Sequence, residues 1–340
     1  MLLIVGEFLS AADTETGRPF SNGPSRLFKA LLHQVGIDPS ECEYINVIPR
    51  TPAGNSMFGF CGSKEDGIPH MRYLKRGHYV RAEFHSDIQH LWAHINERKP
   101  NLVLALGDMP LWALTSETSI KSARGRITLG NSAIPGIKIL PCHSPRQLIA
   151  EWHLRPIILA DLTKARREQA FPEIRRPQRF IHLHPTLADL ESFLTEFILP
   201  CTNLDCDIET KGEMITCVGF APSKDRAIVV PFFTEAQPDG NYWRTVHEEY
   251  LAWKWVARVL RLGKRVGGQN FQFDMQYLWR KMGIKSPNFT DDTMLMHHAH
   301  QPEMLKGLGF LGSVYTDELS WKFMHKIAVA DKTAKKGDLE

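Results

Sequence analysis

Apolar residues fall into two kinds of block along this chain. Short continuous runs, "LLIV" at the start, "YINVIP" (44–49) and "NLVLALG" (101–107), have the length and branching of buried strands. "IKILPCHSPR" (137–146) is a further such run that passes into a loop. Between them lie stretches with helical spacing. "SRLFKALLHQVG" is predicted to be capped by Ser25 and stopped at Gly36, and "SDIQHLWAHINERKP" to be capped by Ser86 or Asp87 and ended before Pro100. Strands alternating with helices predict an α/β fold, a parallel-rich sheet covered by helices.

The pattern breaks at Phe171-Pro172, where a helical stretch becomes a basic, proline-containing connector holding Arg175, Arg176 and Arg179. This predicts a first domain over residues 1–171, a linker over 172–179 and a second domain over 180–340. The second part reopens with a strand at "RFIHLHP" and a helix at "TLADLESFLTEF". Three strands follow ("NLDCDIE", "ITCVGFA", "AIVVPFF"), separated by turn residues such as Lys211-Gly212 and Ser223-Lys224-Asp225. A long helix at "TVHEEYLAWKWVARVLRLG", a strand at "KRVGGQN" and a helix at "FQFDMQYLWRKMG" complete a mixed sheet with crossovers.

Composition changes this picture little. In 340 residues, 43% are hydrophobic and 23% charged, with a formal charge of +3, so net charge alone singles out no polyanionic partner. The six cysteines form no Cys-x-x-Cys pair, which argues against a zinc or iron–sulfur site and for a reduced, cytoplasmic setting. The apolar start is too short for a signal peptide or a membrane span.

Candidate chemistry is concentrated in "NLDCDIETKG" (203–212). Asp207 and Glu209 stand two apart on a strand, so both carboxylates share one face and each raises the other's pKa unless a cation lies between them. Asp274, one turn into the helix after Asn270, supplies a third carboxylate near a strand end, suited to Mg²⁺ or Mn²⁺. Of His297, His298 and His300 in "MHHAH", only His297 and His300 have the spacing to share a helix face, and two ligands are too few for a zinc site.

With "GQNFQFDMQYL" and "DDTMLMHHAHQPEMLKGLGFL", this stretch resembles the DnaQ-like (RNase H-like) 3′–5′ exonuclease domain of family A DNA polymerases, those of bacteriophages above all. The resemblance covers residues 178–340. It implies a proofreading nuclease in DNA replication, with two divalent ions held by Asp207, Glu209, Asp274 and one further acid. One ion activates water and the other stabilises the leaving oxygen. The family's last motif, Tyr-x-x-x-Asp, has no match; Tyr315 and Asp317 are spaced Tyr-x-Asp. The expectation is a truncated exonuclease domain, weak in metal binding, in a chain that continues into a polymerase domain.

The first half, through "VGEF", "GRPFSNGPSRLF", "YINVIPRTPAGN", "SARGR" and "CHSP", resembles the uracil-DNA glycosylase superfamily over residues 1–168. That implies a three-layer domain around a four-stranded parallel sheet, with Phe20 stacking on a flipped base and Asn46 reading its edge. It also implies Glu7 near the attacking water and His143 on the departing base. The family's Gly-Glu-Ala-Pro-Gly turn stands here as "GEFLS", and its His-Pro-Ser loop as His-Ser-Pro. Both departures predict weak excision with base or strand binding retained. Arg72, Lys75, Arg76 and Arg81 among Tyr73 and Tyr79, together with Arg175 and Arg176, are candidate contacts to single-stranded DNA. A monomeric polymerase fragment competes with a non-catalytic template-sensing module and with an active glycosylase–nuclease repair fusion.

Overall fold

A computed structural model describes residues 1–17, 19–175 and 177–316, and the chain divides into two compact units. One comprises Met1–Arg176 together with the chain from Gly309 onward, the other Pro177–Leu308. Arg176 and Asp317 lie outside the described residues. The expected break near 172–179 therefore coincides with the observed boundary. The expected extent of the second domain differs at its end, because the last described helix groups with the first unit.

In the first unit, β1 (Leu2–Phe8) leads through α1 (Ala11–Thr16) and α2 (Gly23–Gln34) to β2 (Glu43–Ile48). A two-stranded ribbon, β3 (Cys61–Gly62) with β4 (Tyr79–Val80), precedes α3 (His85–Arg98) and β5 (Leu102–Leu106). Then come α4 (Asp108–Thr115), α5 (Ile120–Ala123), β6 (Thr128–Leu129), β7 (Lys138–Cys142), α6 (Pro145–Ala150) and α7 (Arg155–Glu168). The sheet runs β2–β1–β5–β7–β6. Its first four strands are parallel, as expected, and β6 adds an antiparallel edge.

Strands β5 and β7 are buried at every position, which is why they read as continuous apolar runs rather than alternating ones. Helix starts were less legible. Asn22, not Ser25, caps α2, with Pro24 in its first turn, and α3 begins at His85 without a side-chain cap. Asp87 instead pairs with Arg50 at 3.2 Å.

The second unit holds β8 (Phe180–His182), α8 (Leu187–Phe193), β9 (Asn203–Lys211), β10 (Met214–Ser223), β11 (Arg226–Pro231) and α9 (Val246–Leu260). It continues with β12 (Arg265–Gly268), α10 (Phe271–Met282), β13 (Phe289–Asp292) and α11 (Thr293–His300); α12 spans Leu308–Tyr315. The six strands form a mixed sheet in the order β13–β12–β9–β10–β11–β8. Strands β9–β11 make the antiparallel meander, while β12 runs parallel to β9. Capping boxes at Thr186 and Thr245 start α8 and α9. Among the described residues, no helix is long and apolar enough to cross a membrane.

One buried charge ties β7 to the end of α7. Lys138 is 1% exposed, and its ammonium donates to Glu168 Oε2 at 3.0 Å and to the carbonyls of Glu168, Phe171 and Glu173. Lys138→Ala strands a buried carboxylate and three carbonyls and is expected to cost about 3–5 kcal/mol. Urea unfolding measures it, and a loss below about 1 kcal/mol would show the lysine idle.

Candidate base cavity and acidic strand face

The end of β1 opens on a cavity of about 520 Å³ lined by Glu7, Phe20, Asn46, Ser144 and Arg146 among others. Three of the four expected residues thus meet around one space. Gly6 makes the meeting possible: a Cβ there would fall 2.4 Å from Asn46 Oδ1 and 2.6 Å from Phe20 Cζ. Phe20 sits in left-handed backbone at φ 58°, its ring 5.1 Å from that of Tyr44. Such a conformation is costly for a bulky residue and marks a functional position. Asn46 is 7% exposed, and no hydrogen bond engages its amide among the described residues. Its amide faces the cavity, leaving donors and acceptor available to a ligand there.

Glu7 lies near the start of α4, where the backbone N–H groups of Met109 and Asp108 favour its ionised form. Gly107 (φ 99°) leaves room for it, since a Cβ would fall 2.7 Å from Glu7 Oε1. Burial pushes the Glu7 pKa up to about 7 and the Asp108 carboxylate adds to the rise, while the Met109 N–H and Arg146 oppose it. His143 is the fourth expected residue, and it is not among those lining the cavity. It is buried, 3.3 Å by Nδ1 from Gln147 Oε1, with its pKa lowered chiefly by burial. Phe8, at the departed turn, does line the cavity and packs edge-on against Phe60.

Two neighbours were missed from the sequence. Asp13, 2% exposed, accepts from Ser10, Ser21 and Asn22 and so ties α1 to the loop entering α2. Ser10 three residues before Asp13 is a capping-box signal that marks it. Arg146 stacks 4.9 Å over Phe8 and donates to the Asn55 carbonyl at 2.7 Å, bridging two lining loops.

The candidate strand-binding cations divide. Lys75 is committed to Asp108 at 2.8 Å, and Arg81 to Glu83 and the Gly59 carbonyl. Arg175 pairs with Glu173 and stacks 3.8 Å over Phe171. Arg72 and Arg76 are exposed and enter no ion pair among the described residues. Tyr73 and Tyr79 meet edge to face at 6.1 Å, so each shields part of the other.

In the second unit, β9 alternates strictly. Leu204, Cys206 and Ile208 are buried, while Asp205, Asp207 and Glu209 share the opposite face. Asp205 completes that row and was overlooked, although the alternation itself shows it. Across the ladder, Gly219 and Cys217 stand opposite Asp207 and Glu209. Asp274 is 3% exposed, and its Oδ1 accepts from Ile208 N at 2.8 Å. Burial pushes its pKa up to about 7; the Ile208 N–H acts against that, and the Asp207 and Glu209 charges add to it. Asp207 is raised by burial and then by Glu209. Asp292, also missed, accepts from Asn270 N and Phe271 N at 3.0 Å each and so braces the turn into α10.

These carboxylates have the oxygen chemistry of a Mg²⁺ or Mn²⁺ site. Their geometry differs from the expected ready-made cluster: among the described residues, no three His, Cys, Asp or Glu side chains gather as a metal would require. The Ile208 N–H occupies one oxygen of Asp274.

Residues 1–174 match the family described as the uracil DNA glycosylase superfamily. Over 302 residues the chain is 23% identical to a protein of Bacillus phage SP01 named DNA polymerase. That alignment takes in 80% of this chain and 29% of the phage protein, so the chain spans less than a third of that relative. Among solved structures, the Aedes aegypti Nibbler EXO domain is 11% identical with a TM-score of 0.33, over 45% of this chain and 75% of that one. The EXD2 exonuclease domain soaked in Mg is 13% identical with a TM-score of 0.27, over 46% and 83%. Likenesses that loose carry no argument about the second unit. The family match is of another order: it spans 174 of 340 residues and every residue lining the cavity, and the protein belongs to the uracil DNA glycosylase superfamily.

Proposed function

We propose that this protein takes an extruded DNA base into the cavity of its first unit and binds it there without efficient excision. The observation that carries this reading is the Asn46 amide, which lines the cavity beside Phe20 and Glu7 with its hydrogen-bonding groups free of protein partners among the described residues. A flipped base offers the missing partners on its hydrogen-bonding edge and a face for the aromatic ring. Excision asks for more: a carboxylate free to activate water and a donor at the departing base. Glu7 is half protonated near pH 7 and already receives backbone N–H groups, and His143 lies outside the lining.

A single strand is the preferred substrate, because extruding a base from a duplex costs a few kcal/mol. Kinship with the phage polymerase supports a place at the N-terminal end of a phage-type DNA polymerase in the cytoplasm of an infected bacterium, with a polymerase domain as covalent partner. The second unit then serves as the 3′–5′ exonuclease domain. What favours that role is the placing of Asp274 on the Ile208 N–H of β9, with Asp207 and Glu209 on that strand's acidic face and their charges adding to the burial that raises the Asp274 pKa.

Fluorescence anisotropy on a uracil-containing single strand tests the base site. Asn46→Ala and Gly6→Ala are each expected to weaken binding at least tenfold, and robust abasic-site formation abolished by Glu7→Ala would overturn the reading. In a salt titration, removing Arg72 and Arg76 together is expected to flatten the slope of log K by about 1.4, from ~0.7 per phosphate contact on a single strand. The same experiment on Lys75→Ala should leave the slope unchanged and lower stability instead.

Glu7 also predicts a pH dependence of stability. Its folded pKa is raised, so folding favours its protonated form. Stability from this group is full below about pH 4.5 and declines as pH climbs through about 7. Glu7→Gln is therefore expected to stabilise the protein at pH 8, by on the order of 3 kcal/mol, and little at pH 4.5. Thermal melts at the two pH values decide it, and equal shifts would contradict the assignment.

For the second unit, calorimetric titration of this chain with Mn²⁺ should show weak binding that Asp207→Asn removes. Cleavage of a single-stranded 3′ end should be slow. A proofreading-rate nuclease in this chain would show that the described acids already suffice.

A further inference from the structure

Helix α12 follows the second unit in sequence, yet from Gly309 the chain belongs to the first. A buried polar cluster holds it there. Arg124, Asp161 and Lys164 are 4%, 0% and 5% exposed. Arg124 donates from Nε to Asp161 Oδ2 at 2.9 Å, pairs again with Oδ1 through Nη2, and donates from Nη1 to Ser313 Oγ at 2.9 Å. The Lys164 ammonium donates to the carbonyls of Gly125 at 2.7 Å, Ser313 at 3.0 Å and Thr316 at 2.8 Å. Of the two buried cations, Arg124 takes the carboxylate of Asp161. The charge of Lys164 is met by carbonyl oxygens, two of them from the end of α12, where the helix dipole is negative. Without α12, Lys164 would be left with one of these three acceptors.

The cluster also reaches the supports of the base cavity. Asp161 lies near the Cys142 thiol at the end of β7, and after burial its charge is the largest influence raising that thiol's pKa. Gly125 N donates to Pro141 O at 2.9 Å, and a Cβ on Gly125 would fall 2.7 Å from Asp161 Oδ1 and 3.1 Å from Ser313 O. Cys142 O in turn accepts from Gly107 N at 2.9 Å, the residue that opens α4 against Glu7. The loop of His143, Ser144, Pro145 and Arg146 follows Cys142 directly.

We propose that Arg124 and Lys164 are positioning residues for the base cavity. By clamping residues 309–316, they hold the end of β7, and through it the 143–146 loop and the Gly107 turn. The second unit is then an insertion with both ends anchored in the first, and displacement of the chain beyond Leu308 is felt at the cavity. The affinity part of the test rests on the base-binding reading; the exchange part does not.

The experiment is hydrogen exchange by mass spectrometry on the 340-residue chain, with Lys164→Met and Ser313→Ala. Alongside it, affinity for a uracil-containing single strand is measured. Lys164→Met is expected to speed exchange about tenfold or more in both 309–316 and 141–147, to leave β9 and β12 at parental rates, and to weaken binding at least fivefold. Faster exchange in 309–316 alone, with 141–147 and affinity unchanged, overturns the proposal, as does continued protection of 309–316 in both variants. If Lys164→Met does not fold, Ser313→Ala, which removes a single acceptor, makes the same comparison with a smaller effect in both segments. If the parent binds no single strand, the base-binding reading fails, while joint or separate exchange of the two segments still decides the positioning claim.

Discussion

The base cavity depends on the absence of a side chain at Gly6. Phe20 and Asn46 come from different parts of the chain, and both occupy the volume that a Cβ at Gly6 would need. A second glycine, Gly107, does the same for Glu7 at the start of α4. Backbone approach of this kind is the ordinary use of glycine near a ligand. Here it places an aromatic ring, an unpartnered amide and a buried carboxyl around one space, and neighbouring features serve to keep them there. Asp13 gathers Ser10, Ser21 and Asn22 on one side, and Arg146 reaches Asn55 across Phe8 on another.

The two units handle carboxylates in opposite ways. Glu7 is isolated, desolvated and met by helix N–H groups, so its proton affinity is set mainly by burial. The acids of β9 stand in a row, where the Glu209 charge works against Asp207, and Asp274 of α10 is raised by burial and by both of those charges. A lone buried acid can be tuned for binding or proton transfer. A row of acids is unfavourable until a proton or cation joins it, and the described residues of the second unit form no closed ligand set.

Counting cations along the chain overstates the surface available to DNA. Of the basic residues singled out between residues 72 and 81, Lys75 and Arg81 neutralise acids of their own unit, while Arg72 and Arg76 remain exposed. Lys138 and Lys164 go further, since both are buried and spend their ammonium groups on backbone carbonyls. A lysine there is structural, and its charge is balanced by dipoles as much as by carboxylates.

What the sequence determined by itself was the local grammar. The buried strands of the first unit, the alternation of β9, the meander and the order of crossovers follow from hydrophobic period, turn residues and caps, which act over a few residues. The pairing of Asp207 with Glu209 was legible for the same reason, as were Phe20, Asn46 and Glu7 once their motifs were seen in order. Only the tertiary structure decided matters of distance between remote segments. It set His143 outside the cavity lining, turned Asp274 toward the Ile208 N–H, and set Asp292 against the turn into α10. It also returned residues 309–316 to the first unit, where two buried cations find further acceptors at the end of α12. Those outcomes depend on which donor meets which acceptor after folding, and no periodicity in the chain encodes that choice.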